Sequence, residues 1–68
     1  MQNIQFNGKH LTIKEQISIA DFLTEQKIPR QNLILEWNGS LLTGSDPLEE
    51  HFLQNGDRLE LFTMVGGG

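Results

Sequence analysis

The sequence contains no cysteine and is short of positive charge, with five lysines and arginines against nine acidic residues among 68 positions. Without cysteine, neither a disulfide nor a thiolate metal cage can brace the core, so a chain this short must draw its stability from one small, regular core. The formal net charge of -4 repels phosphate backbones and anionic headgroups, which argues against nucleic acid as a partner. No apolar run is long enough to cross a membrane, and Met1-Gln2-Asn3-Ile4-Gln5 lacks the basic-then-apolar layout of an export signal. The sequence therefore reads as a cytoplasmic protein with no membrane role. His10 and His51 are far apart, with no His-x-x-x-His spacing, so they offer no zinc site and read as surface residues. Ser18, Ser40 and Ser45 lie in cap or turn contexts, and no Gly-x-Ser-x-Gly elbow gives a serine nucleophile its setting.

What is present reads as strands and one helix. Ile4 and Phe6 alternate with polar residues, Asn7-Gly8 follows, and Leu11 and Ile13 resume the alternation. Asn-Gly suits a two-residue turn whose central positions need positive φ, so the opening segments form an antiparallel hairpin. Ser18 is set to cap a helix, with Asp21 three residues on as a capping-box-like acid; Ile17 and Phe22 are spaced for a hydrophobic staple. Ile19, Phe22 and Leu23 share a helical face, and Pro29 stops the helix near Lys27 or Ile28, after about two to three turns. Leu33 to Trp37 is a strand whose continuous apolar run suggests burial on both faces, closed by Asn38-Gly39. Leu41 to Thr43 is a brief return strand, Pro47 to Phe52 makes one short helical turn, and Asn55-Gly56-Asp57 is a third turn. Arg58 to Val65 is the last strand, with Leu59, Leu61, Thr63 and Val65 toward the core and Arg58, Glu60, Phe62 and Met64 on the other side. Trp37 is read as core or edge packing.

This order predicts an α+β domain, residues 1–65, in which a mixed sheet of four to five strands packs on one helix, with a flexible tail at 66–68. The last strand is expected between the two amino-terminal elements of the sheet, reached by the long connection that precedes it. That is a β-grasp (ubiquitin-like) arrangement. Gly66-Gly67-Gly68 directly after a strand is the most telling feature: without Cβ atoms such a tail can thread a slot closed to side chains and deliver a terminal carboxylate to another protein.

The opening Asn7-Gly8 hairpin, Asn55-Gly56-Asp57-Arg58-Leu59-Glu60-Leu61-Phe62 and Val65-Gly66-Gly67-Gly68 together resemble the ThiS family of thiamine-biosynthesis sulfur carriers, across essentially the whole chain. The resemblance implies a carrier rather than an enzyme. An E1-like adenylyltransferase of the ThiF type would join the Gly68 carboxylate to AMP, using ATP and magnesium bound by that enzyme. Sulfur from a donor such as a cysteine desulfurase would then replace AMP, giving a C-terminal thioglycine thiocarboxylate that donates its sulfur to a thiazole synthase of the ThiG type. No cofactor or metal is expected on the carrier itself. The molybdopterin-synthase small subunit resembles the chain in fold and ending, and a ubiquitin-like protein modifier or a plain interaction module are further readings.

Phe62 and Met64, with Val65, are candidates for the partner-binding surface beside the tail. Partial cover by neighbouring strands, or ordinary apolar surface, is the equal alternative for Phe62 and Met64. Glu49, Glu50, Asp57 and Glu60 either steer basic partners or form a solvated acidic face.

Overall fold

A computed structural model describes residues 1–63. Along the chain lie β1 (Gln2–Phe6), β2 (Lys9–Ile13), α1 (Ile19–Glu25), β3 (Leu33–Trp37), β4 (Ser40–Thr43), a 3-10 turn (Leu48–Glu50) and β5 (Arg58–Thr63). The strands form one sheet in the order β2-β1-β5-β3-β4. β1 and β5 run parallel at its centre, and the other neighbours are antiparallel. This is a β-grasp fold.

The hairpin turns form as the sequence predicts. Asn7 and Gly8 take φ of 51° and 82°, and Asn38 and Gly39 take 50° and 90°, the left-handed values a two-residue primed turn requires. These turns correct the expected place of the last strand. A two-residue turn holds β1 and β2 edge to edge, so β5 lies not between them but on the free edge of β1, against β3.

α1 begins as expected, with the Ser18 hydroxyl accepting a hydrogen bond from the Asp21 N–H at 3.0 Å. Its end has a device the sequence reading missed. Lys27 adopts φ 60° just beyond the Gln26 cap, its N–H reaches the Thr24 carbonyl at 3.1 Å, and the Ile28 N–H reaches the Leu23 carbonyl at 2.9 Å. This paired 6→1 and 5→2 closure satisfies the last helical carbonyls and usually carries glycine at the left-handed position. Lysine there pays about 1–2 kcal/mol for its Cβ, so the helix stops before Pro29 exerts any effect.

The core lies between α1 and one face of the sheet. Ile4, Phe22, Leu23, Leu35, Leu48, Leu53 and Leu59 are all buried, and the Phe6 ring stands edge-on to Phe22 at 5.1 Å. Each fully buried aliphatic or phenyl group contributes about 1.5–3 kcal/mol. β3 departs from the expectation of two buried faces: Leu33 and Leu35 are buried, but Ile34 and Glu36 are only half-covered, because among the described residues no second layer lies on that side. The apolar density of β3 reflects its place between two neighbouring strands.

Polar contacts fix the connections. Arg30 donates to the carbonyls of Gly44 at 3.2 Å and Asp46 at 2.9 Å and pairs with Glu49, tying the loop before β3 to the 3-10 turn. Gly44 approaches so closely that a Cβ there would lie 2.0 Å from the Arg30 carbonyl oxygen. Asp57 is buried, and its carboxylate accepts from Trp37 Nε1 at 2.9 Å, Asn38 Nδ2 at 3.0 Å and the Gln54 N–H at 2.8 Å.

Two outcomes follow. Asp57→Ala removes the shared acceptor of three part-buried hydrogen bonds and should lower unfolding free energy by about 2 kcal/mol, read from the urea midpoint, whereas Asp57→Asn, which keeps one acceptor oxygen, should cost less. The Arg30 guanidinium beside Glu49, helped by a backbone N–H and opposed in part by desolvation, holds the Glu49 carboxyl below its ordinary value of 4.5. A lowered folded value means that the stabilisation is complete above the ordinary value and is lost as pH falls through the lowered one. Glu49→Gln should therefore flatten the acid limb of stability against pH, and salt should shrink the difference because the pair is exposed.

Candidate functional site

The strand that leads to the glycine segment is held from three sides. At its start the Asp57 carboxylate binds the β3–β4 hairpin, while the Gly56 N–H donates to the Asn3 carbonyl at 2.7 Å and the Asn55 side chain accepts from the Asn3 N–H at 2.8 Å. Further along, both asparagines of the hairpin turns reach across to β5. Asn38 Oδ1 accepts from the Arg58 N–H at 2.8 Å, and Asn7 Oδ1 accepts from the Leu61 N–H at 2.8 Å. The second contact extends the hold of β1 beyond its own last residue, since the parallel pairing reaches only Phe6 opposite Leu59. On the other edge, Leu33 to Trp37 pair with β5 as far as Thr63.

β5 divides its side chains as the alternation predicts. Leu59 is buried under α1 and Leu61 packs partly against the core. Phe62 is 50% exposed on the opposite side, which favours its reading as open surface. That open face is built in rows. Phe62 lies opposite Ile34, which lies opposite Thr43; one step along, Glu60 lies opposite Glu36, which lies opposite Leu41, itself 69% exposed. The face thus presents a small apolar group beside two carboxylates. Met64, Val65, Gly66, Gly67 and Gly68 lie outside the described residues.

Several residues stand elsewhere than the sequence reading put them. Asp57 is no steering charge but a buried hub, and Glu49 is engaged with Arg30. His51 is half-buried, tilted against the Trp37 indole at 5.2 Å, and its carbonyl accepts from the Ile19 N–H. Others stand where the sequence reading has them: His10 is exposed, Ser18 is the helix cap, and Trp37 packs with its Nε1 bound to Asp57. Among the described residues no three histidine, aspartate or glutamate side chains come together as a metal site. No helix among them is long and apolar enough to cross a membrane. An open surface depression of about 520 Å³ is lined by Arg30, Asn32, Leu33, Thr43, Gly44 and neighbouring residues, with no base among them to activate a hydroxyl.

The fold and this face define a small β-grasp protein whose β5 is held along both edges. The sequence profile of the ThiS family matches residues 2–68, and the chain belongs to that family. At family level it is a sulfur carrier of thiamine biosynthesis. Its structure is similar to the crystal structure of the thiamine biosynthesis protein ThiS from Geobacter metallireducens, with a TM-score of 0.81 and 26% identity over 98% of this chain and 100% of that one. It is also similar to the solution structure of a thiamine biosynthesis protein from Geobacter metallireducens, with a TM-score of 0.76 and 26% identity over 98% of this chain and 88% of that one. No curated protein matches the sequence.

The two sides of β5 should respond differently to substitution. Phe62→Ser should leave the domain folded at a loss of at most about 1 kcal/mol, while Leu59→Ser, which buries a hydroxyl and opens a cavity, should cost about 3 kcal/mol or more. Urea denaturation of both checks this, and equal losses would place the Phe62 ring in the core.

Proposed function

We propose that the chain carries sulfur on its last residue: the Gly68 carboxylate is adenylated by an E1-like enzyme, converted to a thiocarboxylate, and used to donate sulfur to a thiazole synthase. The observation that carries this reading is the fixation of β5, which ends at Thr63, by Asp57, Asn7 and Asn38 in a ThiS-family chain whose sequence continues Met64-Val65-Gly66-Gly67-Gly68. A body that holds the strand still, followed by residues without side chains, suits delivery of a chain end into a partner's active site.

The chemistry has a simple logic. A carboxylate resists nucleophiles because its charge is delocalised and oxide is a poor leaving group. Attack of the Gly68 carboxylate on the α-phosphorus of ATP releases pyrophosphate and gives a mixed anhydride, from which AMP departs readily when sulfur attacks the carbonyl. Magnesium and cationic side chains that offset the triphosphate charge belong to the adenylyltransferase, since this chain is acidic and has no glycine-rich phosphate loop. A cysteine desulfurase is a suitable origin for the sulfur: its persulfide attacks the carbonyl as AMP leaves, giving an acyl disulfide whose S–S bond a thiol then reduces, which frees the thiocarboxylate. In this scheme 1–65 is the body, 66–68 the reach, and Phe62, Met64 and Val65 the contact surface beside it.

Incubating the chain with an E1-like adenylyltransferase, ATP, magnesium and a sulfur donor should replace one oxygen by sulfur at Gly68, read by intact-mass and fragment mass spectrometry. Deleting Gly68 should abolish that change and leave the fold untouched. An unmodified terminus in the complete mixture would refute the proposal, and lysine conjugates would point instead to a protein modifier.

A further inference from the structure

Glu36 and Glu60 are directly opposed across the β3–β5 pair, on the face of the sheet that α1 does not cover. Opposed residues on one sheet face have Cβ atoms roughly 4.5–5.5 Å apart, and like charges so placed destabilise the pair. Both residues are half-buried, which weakens solvent screening. No ion pair among the described residues takes up either carboxylate: the pairs are Met1–Glu15, Lys14–Glu25 and Arg30–Glu49, and Arg58, on the same face two residues before Glu60, borders a surface depression with each of them but pairs with neither. The carboxylates are bordered by apolar groups, with Leu41 beside Glu36 on β4 and Ile34 and Phe62 in the next row.

We infer that this open face is a docking surface for a protein that inserts an arginine between the Glu36 and Glu60 carboxylates and lays an apolar side chain over Phe62, Ile34 and Leu41. The inference rests on the function proposed above, and the partner it commits to is the adenylyltransferase. Charge complementarity selects the occupant. A planar guanidinium has donors on two edges and can bridge two carboxylates, converting a repulsive pair into two charge-assisted contacts, whereas an ammonium offers a single point of charge. The apolar border excludes water from that contact when the partner seats, as around the energetic centre of an interface. A second copy of this chain is a poor occupant, because an isologous contact between chains of net charge -4 would bring acidic faces together. Paired carboxylates beside Phe62 would also set the orientation of the body, and so the direction in which β5 points.

The test measures affinity of the purified adenylyltransferase for the full chain at low and high salt, alongside the urea midpoint of each variant. Glu36→Gln/Glu60→Gln should lose about tenfold in affinity at low salt, lose less at high salt, and unfold at the same or higher urea because the repulsion is gone. Glu15→Gln/Glu25→Gln, with the same net charge but substituted away from this face, should bind within about twofold of the parent. If the parent binds and the Glu36/Glu60 variant binds equally at both salt concentrations, the inference falls and the proposed function stands. A parent chain that the adenylyltransferase does not bind overturns both.

Discussion

The carboxylate of Asp57 sits where the β3–β4 hairpin, the loop after the 3-10 turn and the start of β5 converge, and much of the architecture depends on its three hydrogen bonds. The strand that follows is the last to be made and the most central in the sheet. It pairs with β1 from the other end of the chain and with β3 from the middle, so its position records the closure of the whole fold. Long-range pairing of this kind carries a loop-closure cost that must be met before the contacts form. A buried anion that gathers an indole N–H, an amide and a backbone N–H at the entry to β5 favours this arrangement, since the same carboxylate buried without those donors would be desolvated and unpaired.

The hairpin turns extend this control. An asparagine at the first turn position tolerates left-handed φ, but glycine would do so equally well. What asparagine adds is an acceptor, and both Asn7 and Asn38 use it on backbone N–H groups of β5. The turns thus set the register of their own hairpins and hold the neighbouring strand as well. This economy suits a chain of 68 residues with no cysteine, where the core is small and each connection must contribute to order.

Much of the fold was legible because its signals are local. The Asn7-Gly8 and Asn38-Gly39 turns, the Ser18 cap and the alternation of β5 each act within a few residues, and each appears where the pattern placed it. The errors arise where a residue's role depends on distant neighbours. Asp57 reads as a surface acid until Trp37 and Asn38 are brought to it; His51 reads as surface until Trp37 lies against it. The density of Leu33 to Trp37 suggested two buried faces, though a strand can be central in its sheet and bare on one side. Lys27 escaped notice because lysine carries no left-handed signal; only the carbonyls of Leu23 and Thr24 waiting to be satisfied explain its conformation. For the candidate site, the sequence placed Phe62 on the open side of β5 and named Glu60 as an exposed acid. It could not reveal that Glu36 stands opposite Glu60, because register between β3 and β5 is a tertiary fact.

A sheet with one helix must leave one face open, and the composition of that face then shows how the domain divides its work. A face turned only to water commonly keeps some apolar surface, but its strand residues can be chosen for cross-strand attraction. Here the bare side of β3, β4 and β5 keeps Ile34, Leu41 and Phe62, and between them sets two carboxylates opposite one another. Both features work against the isolated domain: apolar exposure invites association, and like charges oppose the strand pairing that holds β5. Their cost is tolerable because β5 is secured by contacts that do not use this face at all, through Asp57, Asn7, Asn38 and the buried Leu59. The strand is anchored from its edges and from beneath, which frees its upper side from any duty to stability. That separation lets a very small protein keep a firm core while presenting a surface whose imperfections only another molecule can resolve.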